Sequence, residues 1–227
     1  MIKFKNLFLC SILGALFIWQ NCNAEIQIQS YKKNYSWKAN WTSVIIDELK
    51  KDEYRIGELA MLNLEINEND LEVLECSGYN KATHDEKSDF WVVFFSGLAR
   101  SESGFNEKAR SPMSRGHRSL GLLQLASATA KTRCGIYPPD SSVLDAQDNL
   151  ICGIKLMSWQ LHGAPISSDK FLRADLEGHL FGKYMFQWGP LRQNDHRGRR
   201  ILTNWFKDHL EQLKFCHQSL NDPISHI

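Results

Sequence analysis

The chain has no excess of charge of either sign. Its 227 residues carry 27 basic and 26 acidic side chains, a formal net charge of +1. Such a balance gives no strong global field, which argues against a chain built to hold nucleic acid or an anionic membrane surface. Arg192, Arg197, Arg199 and Arg200 form a local basic cluster near the C-terminus. We interpret this cluster as a solvated face, with contact to an anionic polymer as the alternative.

Motifs typical of several enzyme classes are also missing. The sequence has no Gly-x-Ser-x-Gly elbow, no His-Glu-x-x-His motif and no glycine-rich phosphate loop. It has no Cys-x-x-Cys pair and no two histidines at ligand spacing, so we expect no metal, and we expect no cofactor. No internal repeat or low-complexity tract is present. The length fits one domain with a sizeable core, alone or with an appendage.

The first 24 residues have the pattern of a secretory signal peptide. Lys3 and Lys5 give a basic start, Leu7 to Trp19 is largely apolar, and Cys22 to Ala24 offers small residues for cleavage near Ala24. The apolar stretch is too short for an ordinary membrane-spanning helix. We therefore expect an exported protein, periplasmic or secreted, with no membrane span in the mature chain. The alternative is an uncleaved amphipathic or anchoring N-terminus.

Four cysteines follow the predicted signal peptide: Cys76, Cys134, Cys152 and Cys216. An even number in an exported protein indicates disulfides formed in an oxidising compartment. Four cysteines allow three pairings. We favour Cys134 with Cys152, because they are close in sequence and lie on consecutive predicted helices. That leaves Cys76 with Cys216, which would tie the N-terminal segment to the last helix.

Helical periodicity predicts a compact, mainly helical domain with little strand, built around a buried central helix. The predicted helices cover residues 41–50, 88–103, 127–134 with Gly135 as the stop, 145–161, 176–186 and 200–217. Residues 25–30 alternate as a short strand would, and 56–76 are ambiguous between helix and strand. Polar composition predicts loops over 77–87 and 104–120, with Ser88 capping the central helix.

From these elements we predict that the chain is divided into four segments. Residues 1–24 are the signal peptide, and 25–87 form an N-terminal segment packed on the main domain. Residues 88–219 form that domain, and 220–227 form a tail.

The central predicted helix is very apolar and ends in a carboxylate. Phe95, Leu98 and Ala99 share one helical face. Glu102 follows on that face, seven, four and three residues after them. Burial and the negative end of the helix dipole both favour the protonated acid. A carboxylic acid still protonated near neutral pH is the proton donor that a glycosidase requires. The alternative is a surface glutamate on a frayed helix end, paired with Arg100.

Short motifs follow in a fixed order. They are Glu102-Ser103, Phe105-Asn106, Ala109, Ser111-Pro112, Gly121-Leu122-Leu123-Gln124-Leu125, Ala128-Thr129-Ala130, the spaced set Asp145, Asn149 and Gly153, and Phe186-Gln187-Trp188-Gly189-Pro190. From Ser88 to Pro190 this order resembles the transglycosylase SLT domain of soluble lytic transglycosylases and goose-type lysozymes, in glycoside hydrolase family 23 and its relatives. The resemblance implies a lysozyme-like α+β fold, in a mainly α form, and an enzyme that cleaves peptidoglycan.

By this resemblance Glu102 is the general acid and base at the β-1,4 bond between N-acetylmuramic acid and N-acetylglucosamine. In a lytic transglycosylase it then deprotonates the muramoyl 6-hydroxyl, which closes a 1,6-anhydro ring, and one protein carboxylate suffices. A lysozyme needs a second carboxylate to position water. The candidates by chain position are Asp140, Asp145, Asp148 and Asp195, and Asp145 is better placed to cap its helix. We favour the transglycosylase, with the lysozyme reaction as the alternative.

The resemblance further implies that Ser103, Gln124, Phe186 and Gln187 bind substrate. Ser103 and Gln124 would contact the N-acetyl or lactyl groups of the sugar. Their alternative roles are a hydroxyl at a helix C-terminus and a polar residue at a helix start. Phe186 stands where a tyrosine commonly orients the catalytic glutamate, and Gln187 where asparagine is usual.

The sequence departs from the family pattern in two more places, and two other kinds of protein are alternatives to the enzyme. Leu123 replaces a usual methionine, and the loop before it is longer, with His117 and Arg118 in the extra part. The expected partner is the peptidoglycan glycan strand, bound by a monomer with no affinity for nucleic acid. The alternatives are a non-catalytic peptidoglycan-binding module and an export-pathway structural protein stabilised by its disulfides.

Overall fold

The computed structural model describes residues 26–28, 35–51, 61–114, 117–162, 177–183 and 187–217. Those residues form seven α-helices and one two-stranded antiparallel sheet, which confirms the mainly helical prediction. The helices are α1 (Ala39–Leu49), α2 (Glu68–Leu74), α3 (His84–Ser103), α4 (Ser127–Cys134), α5 (Pro139–Ser142), α6 (Ala146–Leu161) and α7 (His196–Lys207). The strands are β1 (Ser119–Leu120) and β2 (Leu125–Ala126), with Leu120 opposite Leu125.

Helix α3 is the buried centre of the molecule. Every residue from Phe90 to Ala99 is buried, so the helix has no polar face along this run. Its neighbours are α1, α7 and the 3-10 turns Met61–Asn63, Tyr79–Lys81 and Gly189–Leu191. Polar atoms in this core are paired, since Trp205 Nε1 donates to Ser96 Oγ at 2.8 Å. Such surroundings hold the C-terminal end of α3 rigidly.

Helix α3 begins four residues before the predicted start. Thr83, and not Ser88, is the N-cap. Its hydroxyl accepts from the Glu86 N–H at 3.3 Å, and the Glu86 carboxylate accepts from the Thr83 N–H at 2.8 Å. The Ser88 hydroxyl instead donates to the His84 carbonyl. The predicted boundary after residue 87 therefore falls inside α3, and where the domain begins stays a prediction.

The predicted helix over 176–186 is wrong for its described part. Residues 177–183 form turns and irregular structure. Gly178 has φ +72°, and the carboxylate of buried Asp70 accepts from the Leu180 and Phe181 N–H groups at 2.7 and 3.2 Å. Because Asp70 takes these donors, they are not available to a helical ladder.

The predicted helix over 200–217 is confirmed as far as Lys207 and is wrong beyond it, because the chain leaves the α conformation there. Helix α7 starts earlier and is followed by 3-10 turns over Leu210–Gln212 and Lys214–His217. The His209 imidazole Nδ1 lies 2.7 Å from the Trp205 carbonyl oxygen, and the His209 N–H donates to the Phe206 carbonyl instead. Residues 26–28 likewise form no strand.

Two disulfides join distant parts of the fold in the predicted pairing. Cys76 bonds to Cys216, and Cys134 bonds to Cys152. The first joins the segment after α2 to the last 3-10 turn, and the second joins α4 to α6. Among the described residues, no helix has both the length and the apolar character needed to cross a bilayer.

Candidate active site

The end of α3 sets the position of Glu102. The helix stops at Gly104, which has φ +61°, and Phe105 follows with φ +68°. A positive φ is rare for a bulky residue and costs about 1–3 kcal/mol. The Phe105 ring is buried between Trp37 and Trp205, with ring centroids 5.8 and 5.5 Å away. This packing offsets the strain and fixes where the chain turns after Glu102.

Glu102 faces a cleft of about 380 Å³ between the end of α3 and the start of α7. The cleft is lined by Ser101, Glu102, Gly189, Pro190, Asp195, Arg197, Gly198 and Ile201. The backbone N–H of Gly189 donates a hydrogen bond to the Glu102 carboxylate. The carboxylate is thus mostly enclosed by protein but reaches a space that a ligand can enter.

Burial, with a second contribution from the negative charge of Asp195, raises the pKa of Glu102 from 4.5 to about 7. The positive charge of Arg192 and the Gly189 hydrogen bond act in the opposite direction, because both favour the ionised form. The net result is a carboxyl group that still carries its proton in a large part of the molecules near neutral pH. The site can therefore supply a proton to a bound oxygen atom.

Asn149 of α6 holds the turn that follows β1. Its Oδ1 accepts from the Leu123 N–H at 2.8 Å. Its Nδ2 donates to the carbonyls of Leu120 and Val143 at 3.1 and 2.9 Å. Gly121 has φ +76°, and a Cβ there would collide with this same Nδ2. Close approach of the turn to Asn149 therefore requires glycine at position 121.

Leu123 links this turn to the segment beside Glu102. A Cβ on Gly153, one helical turn after Asn149, would collide with the Leu123 side chain. The Trp188 Nε1 donates to the Leu123 carbonyl at 3.0 Å. Trp188 directly precedes Gly189, whose N–H bonds to Glu102. The motifs that are separated in sequence are thus connected through backbone and side-chain contacts to one carboxylate.

The sequence-predicted binding residues occupy half-buried positions. The Ser103 hydroxyl donates to the Ala99 carbonyl at 3.0 Å. The Gln124 Nε2 donates to the carbonyls of Gly121 and Ala109 at 2.8 and 3.3 Å, which holds the side chain against its own turn. Gln187 is half-buried beside Trp188. The binding roles of these three residues stay predictions.

Phe186 lies outside the described residues. The substrate-binding role predicted for Phe186 therefore stays a prediction. Sequence reasoning did not identify Gly189 as an orienting donor for Glu102. A signal was available, because a Gly-Pro pair at the start of a turn leaves the glycine N–H without a partner in that turn.

Three of the four aspartates named from chain position lie in different surroundings. Asp145 caps α6, and its carboxylate accepts from the Gln147 and Asp148 N–H groups at 2.9 and 3.2 Å. Asp140 lines a different depression from the one at Glu102. Asp195 lines the Glu102 cleft. Within the described residues, no group of three or more His, Cys, Asp or Glu side chains is arranged to hold a metal ion.

Solved structures similar to this chain include three of Bd0314 DslA: two glutamate-to-glutamine mutants and the wild-type form 2. Their TM-scores are 0.56, 0.55 and 0.55, each at 20% sequence identity. Each match covers 78% of this chain and 91% of the DslA chain. At this identity the similarity shows the fold alone. No curated protein matches the chain.

The family model described as the transglycosylase SLT domain matches residues 79–173. The matched region contains α3 with Glu102, the turn held by Asn149, and α4 to α6. The segment that supplies Gly189 and Asp195 follows the matched region along the chain. Residues 79–173 are therefore similar to the transglycosylase SLT domain, and the mainly helical structure fits its lysozyme-like fold.

Proposed function

We propose that this protein is an exported enzyme that cleaves the β-1,4 bond between N-acetylmuramic acid and N-acetylglucosamine in peptidoglycan, with Glu102 as the general acid. An SLT domain implies cleavage of peptidoglycan glycan strands. The observation that carries the proposal is the Glu102 carboxyl group, which faces a cleft and has a pKa of about 7. A module that only bound glycan would have no need of a carboxyl group held in its acid form.

The first step is protonation of the glycosidic oxygen by Glu102. Burial keeps the proton on Glu102 until substrate arrives, and the bond between C1 of the muramoyl residue and that oxygen then breaks. The resulting carboxylate is stabilised by the Gly189 N–H and by the positive charge of Arg192. Both features favour the ionised form, so they assist the step in which the acid gives up its proton.

In the second step the Glu102 carboxylate accepts the proton of the muramoyl 6-hydroxyl. The freed oxygen bonds to C1 and closes a 1,6-anhydro ring, while the substrate's N-acetyl group stabilises the positive centre. One protein carboxylate therefore suffices. This transglycosylase outcome is favoured over hydrolysis because, among the described residues, the other carboxylate that lines the cleft is Asp195, which caps α7 through a 2.8 Å bond from the Gly198 N–H. A base that activates water must instead lie free on the opposite face of the sugar.

The proposed location and partner follow from the same observations. Two disulfides and a peptidoglycan-acting domain fit an exported protein, either periplasmic or secreted. The proposed signal peptide over residues 1–24 lies outside the described residues. The proposed partner is the peptidoglycan glycan strand, bound by a monomer.

Mass spectrometry of peptidoglycan digested by the purified protein tests this proposal. We expect fragments with 1,6-anhydromuramoyl ends. Reducing ends would show hydrolysis and would replace the transglycosylase reaction by the lysozyme reaction. Intact glycan strands, from a protein that remains folded by circular dichroism, would contradict the enzymatic proposal altogether.

A further inference from the structure

The carboxylate of Asp195 is held in a fixed position beside the catalytic cleft. Asp195 is the N-cap of α7, and its Oδ1 accepts from the Gly198 N–H at 2.8 Å. Its Oδ2 lies against the backbone of two glycines. A Cβ on Gly189 or on Gly198 would approach this oxygen to 2.6 or 2.5 Å. The absence of side chains at these two positions makes room for the carboxylate.

Gly189 connects the two carboxylates. Its N–H donates to Glu102, and its Cα lies beside Asp195 Oδ2. Both acidic side chains line the same cleft. Because protein encloses most of the Glu102 carboxyl group, water screens its interaction with Asp195 less than it would on an open surface.

We propose that Asp195 is a positioning residue for the reaction: a fixed negative charge that keeps Glu102 in its acid form before substrate is protonated. The inference rests on the proposed role of Glu102 as proton donor. It assigns Asp195 no contact with substrate. One carboxylate oxygen is bound to the backbone of α7 and the other faces the glycine backbone, so the group is placed to act on Glu102 and not on a water across the sugar.

Within the part of the chain that the structure describes, the other charges at the cleft are cationic. Arg192 favours ionisation of Glu102, and Arg197 lines the cleft. The pKa of the Arg199 guanidinium is lowered by burial, which outweighs the opposing charges of Asp70 and then Asp195. Without Asp195 the charge of Arg192 would act on Glu102 unopposed by any negative charge of the described residues, and Glu102 would ionise at a lower pH. Asp195 opposes this effect.

The test is the pH profile of wall cleavage by Asp195→Asn. Asparagine is as good an N-cap as aspartate, so the variant should keep α7 and lose only the charge. At about pH 5, where Glu102 is protonated in both proteins, we expect the variant to cleave walls at the same rate as the wild type. At about pH 7 we expect the cleavage rate of the variant to be about three- to tenfold lower. The alkaline limb of its pH profile, where the rate falls as pH rises, should move to lower pH. Thermal melting checks the fold.

Asp145→Asn is the matched control. It makes the same change at the N-cap of α6, where the carboxylate accepts from the Gln147 and Asp148 N–H groups. Its alkaline limb should coincide with that of the wild type. Arg192→Gln removes a charge of the opposite sign, and its limb should move to higher pH.

Two results would overturn the inference. The Asp195→Asn limb could coincide with the wild-type limb, which would leave Asp195 as a helix cap. Alternatively, its rate could fall equally at every pH with fewer anhydro ends, which would mean direct participation in the chemistry. If the wild type cleaves no peptidoglycan, the proposed function fails instead. NMR titration of the Glu102 carboxyl in both proteins then still measures whether Asp195 acts on its proton.

Discussion

At the scale of the residue, some neighbours of Glu102 raise the pKa of its carboxyl group and others lower it. Burial and the charge of Asp195 favour the acid form, whereas Arg192 and the Gly189 N–H favour the carboxylate. A group that must first donate a proton and then accept one needs both states within reach near the working pH. A pKa of about 7 meets that requirement.

The pH dependence of the reaction follows from this pKa. Donation requires the protonated acid, so the rate of wall cleavage should fall as pH rises through about 7. The measurement is turbidity loss of a wall suspension across the pH range. A rate that falls with a midpoint near the ordinary glutamate value of about 4.3 would contradict the burial of Glu102 in the working enzyme.

The same pKa predicts an effect on stability. Because the folded-state pKa lies above that of the unfolded chain, the favourable contribution of the Glu102 proton is present at low pH. It is lost as pH rises through about 7. Glu102→Gln removes the buried charge, so it should raise the melting temperature relative to wild type more at about pH 8.5 than at about pH 5. An equal difference at both pH values would show that the carboxyl is solvated.

At the scale of the element, the turn between β1 and β2 depends on glycine at position 121. Gly121→Ala places a Cβ against Asn149 Nδ2 and the Val143 carbonyl, in addition to the strain of a positive φ. Gly135→Ala is the control, because Gly135 also has a positive φ, +69°, but its Cβ would meet nothing within 4 Å. The control should lose about 1 kcal/mol of unfolding free energy.

Gly121→Ala should lose about 1–3 kcal/mol more than the control, through displaced hydrogen bonds of Asn149. Denaturant unfolding of both variants measures the difference. Equal losses would mean that the turn does not approach α6 as closely as the structure places it.

Local sequence signals predicted some elements well and others poorly. The stop of α4 at Gly135 and the cap of α6 at Asp145 were predicted, because their determinants lie within a few residues of the helix end. The early start of α3 was not predicted, although Thr83 and Glu86 form a capping-box pattern that is visible in the sequence. The break after α7 was missed because the apolar stripe continues through the 3-10 turns.

Some residues of the candidate site were predicted from the sequence, and others were not. Glu102 was predicted because its face of α3 is defined by residues within seven positions of it. The Gly189 N–H and the Asp195 charge reach Glu102 through tertiary packing of α7 and the turn Gly189–Leu191 against α3. No periodicity in the chain encodes that packing. From the sequence alone, Asp195 is therefore only one of four candidate aspartates.

At the scale of the whole molecule, one core joins the N-terminal segment to the last turns. Buried side chains from Ile26 to Cys216 belong to a single hydrophobic cluster, and α1 packs on both α3 and α6. The bond between Cys76 and Cys216 closes a sequence separation of 140 residues, and that between Cys134 and Cys152 closes 18.

Loss of the long-range disulfide should destabilise the protein more than loss of the short-range one. On the chain-entropy model, the replacement of Cys76 and Cys216 by alanine should cost about 2–5 kcal/mol. The matching replacement of Cys134 and Cys152 should cost about 2 kcal/mol less, because the shorter loop constrains the unfolded chain less. Chemical denaturation of the two double variants measures both. The reverse order would show that native-state packing around the bonds, and not loop closure, determines their effect.

The most direct test of the central claim is wall lysis by Glu102→Gln. Glutamine keeps the size of the side chain but has no acidic proton to donate, so lysis should fall to background while circular dichroism remains that of the wild type. Glu72→Gln, on the exposed face of α2, is the matched control and should lyse walls at the wild-type rate. Near-normal lysis by Glu102→Gln would contradict the assignment of Glu102 as the proton donor.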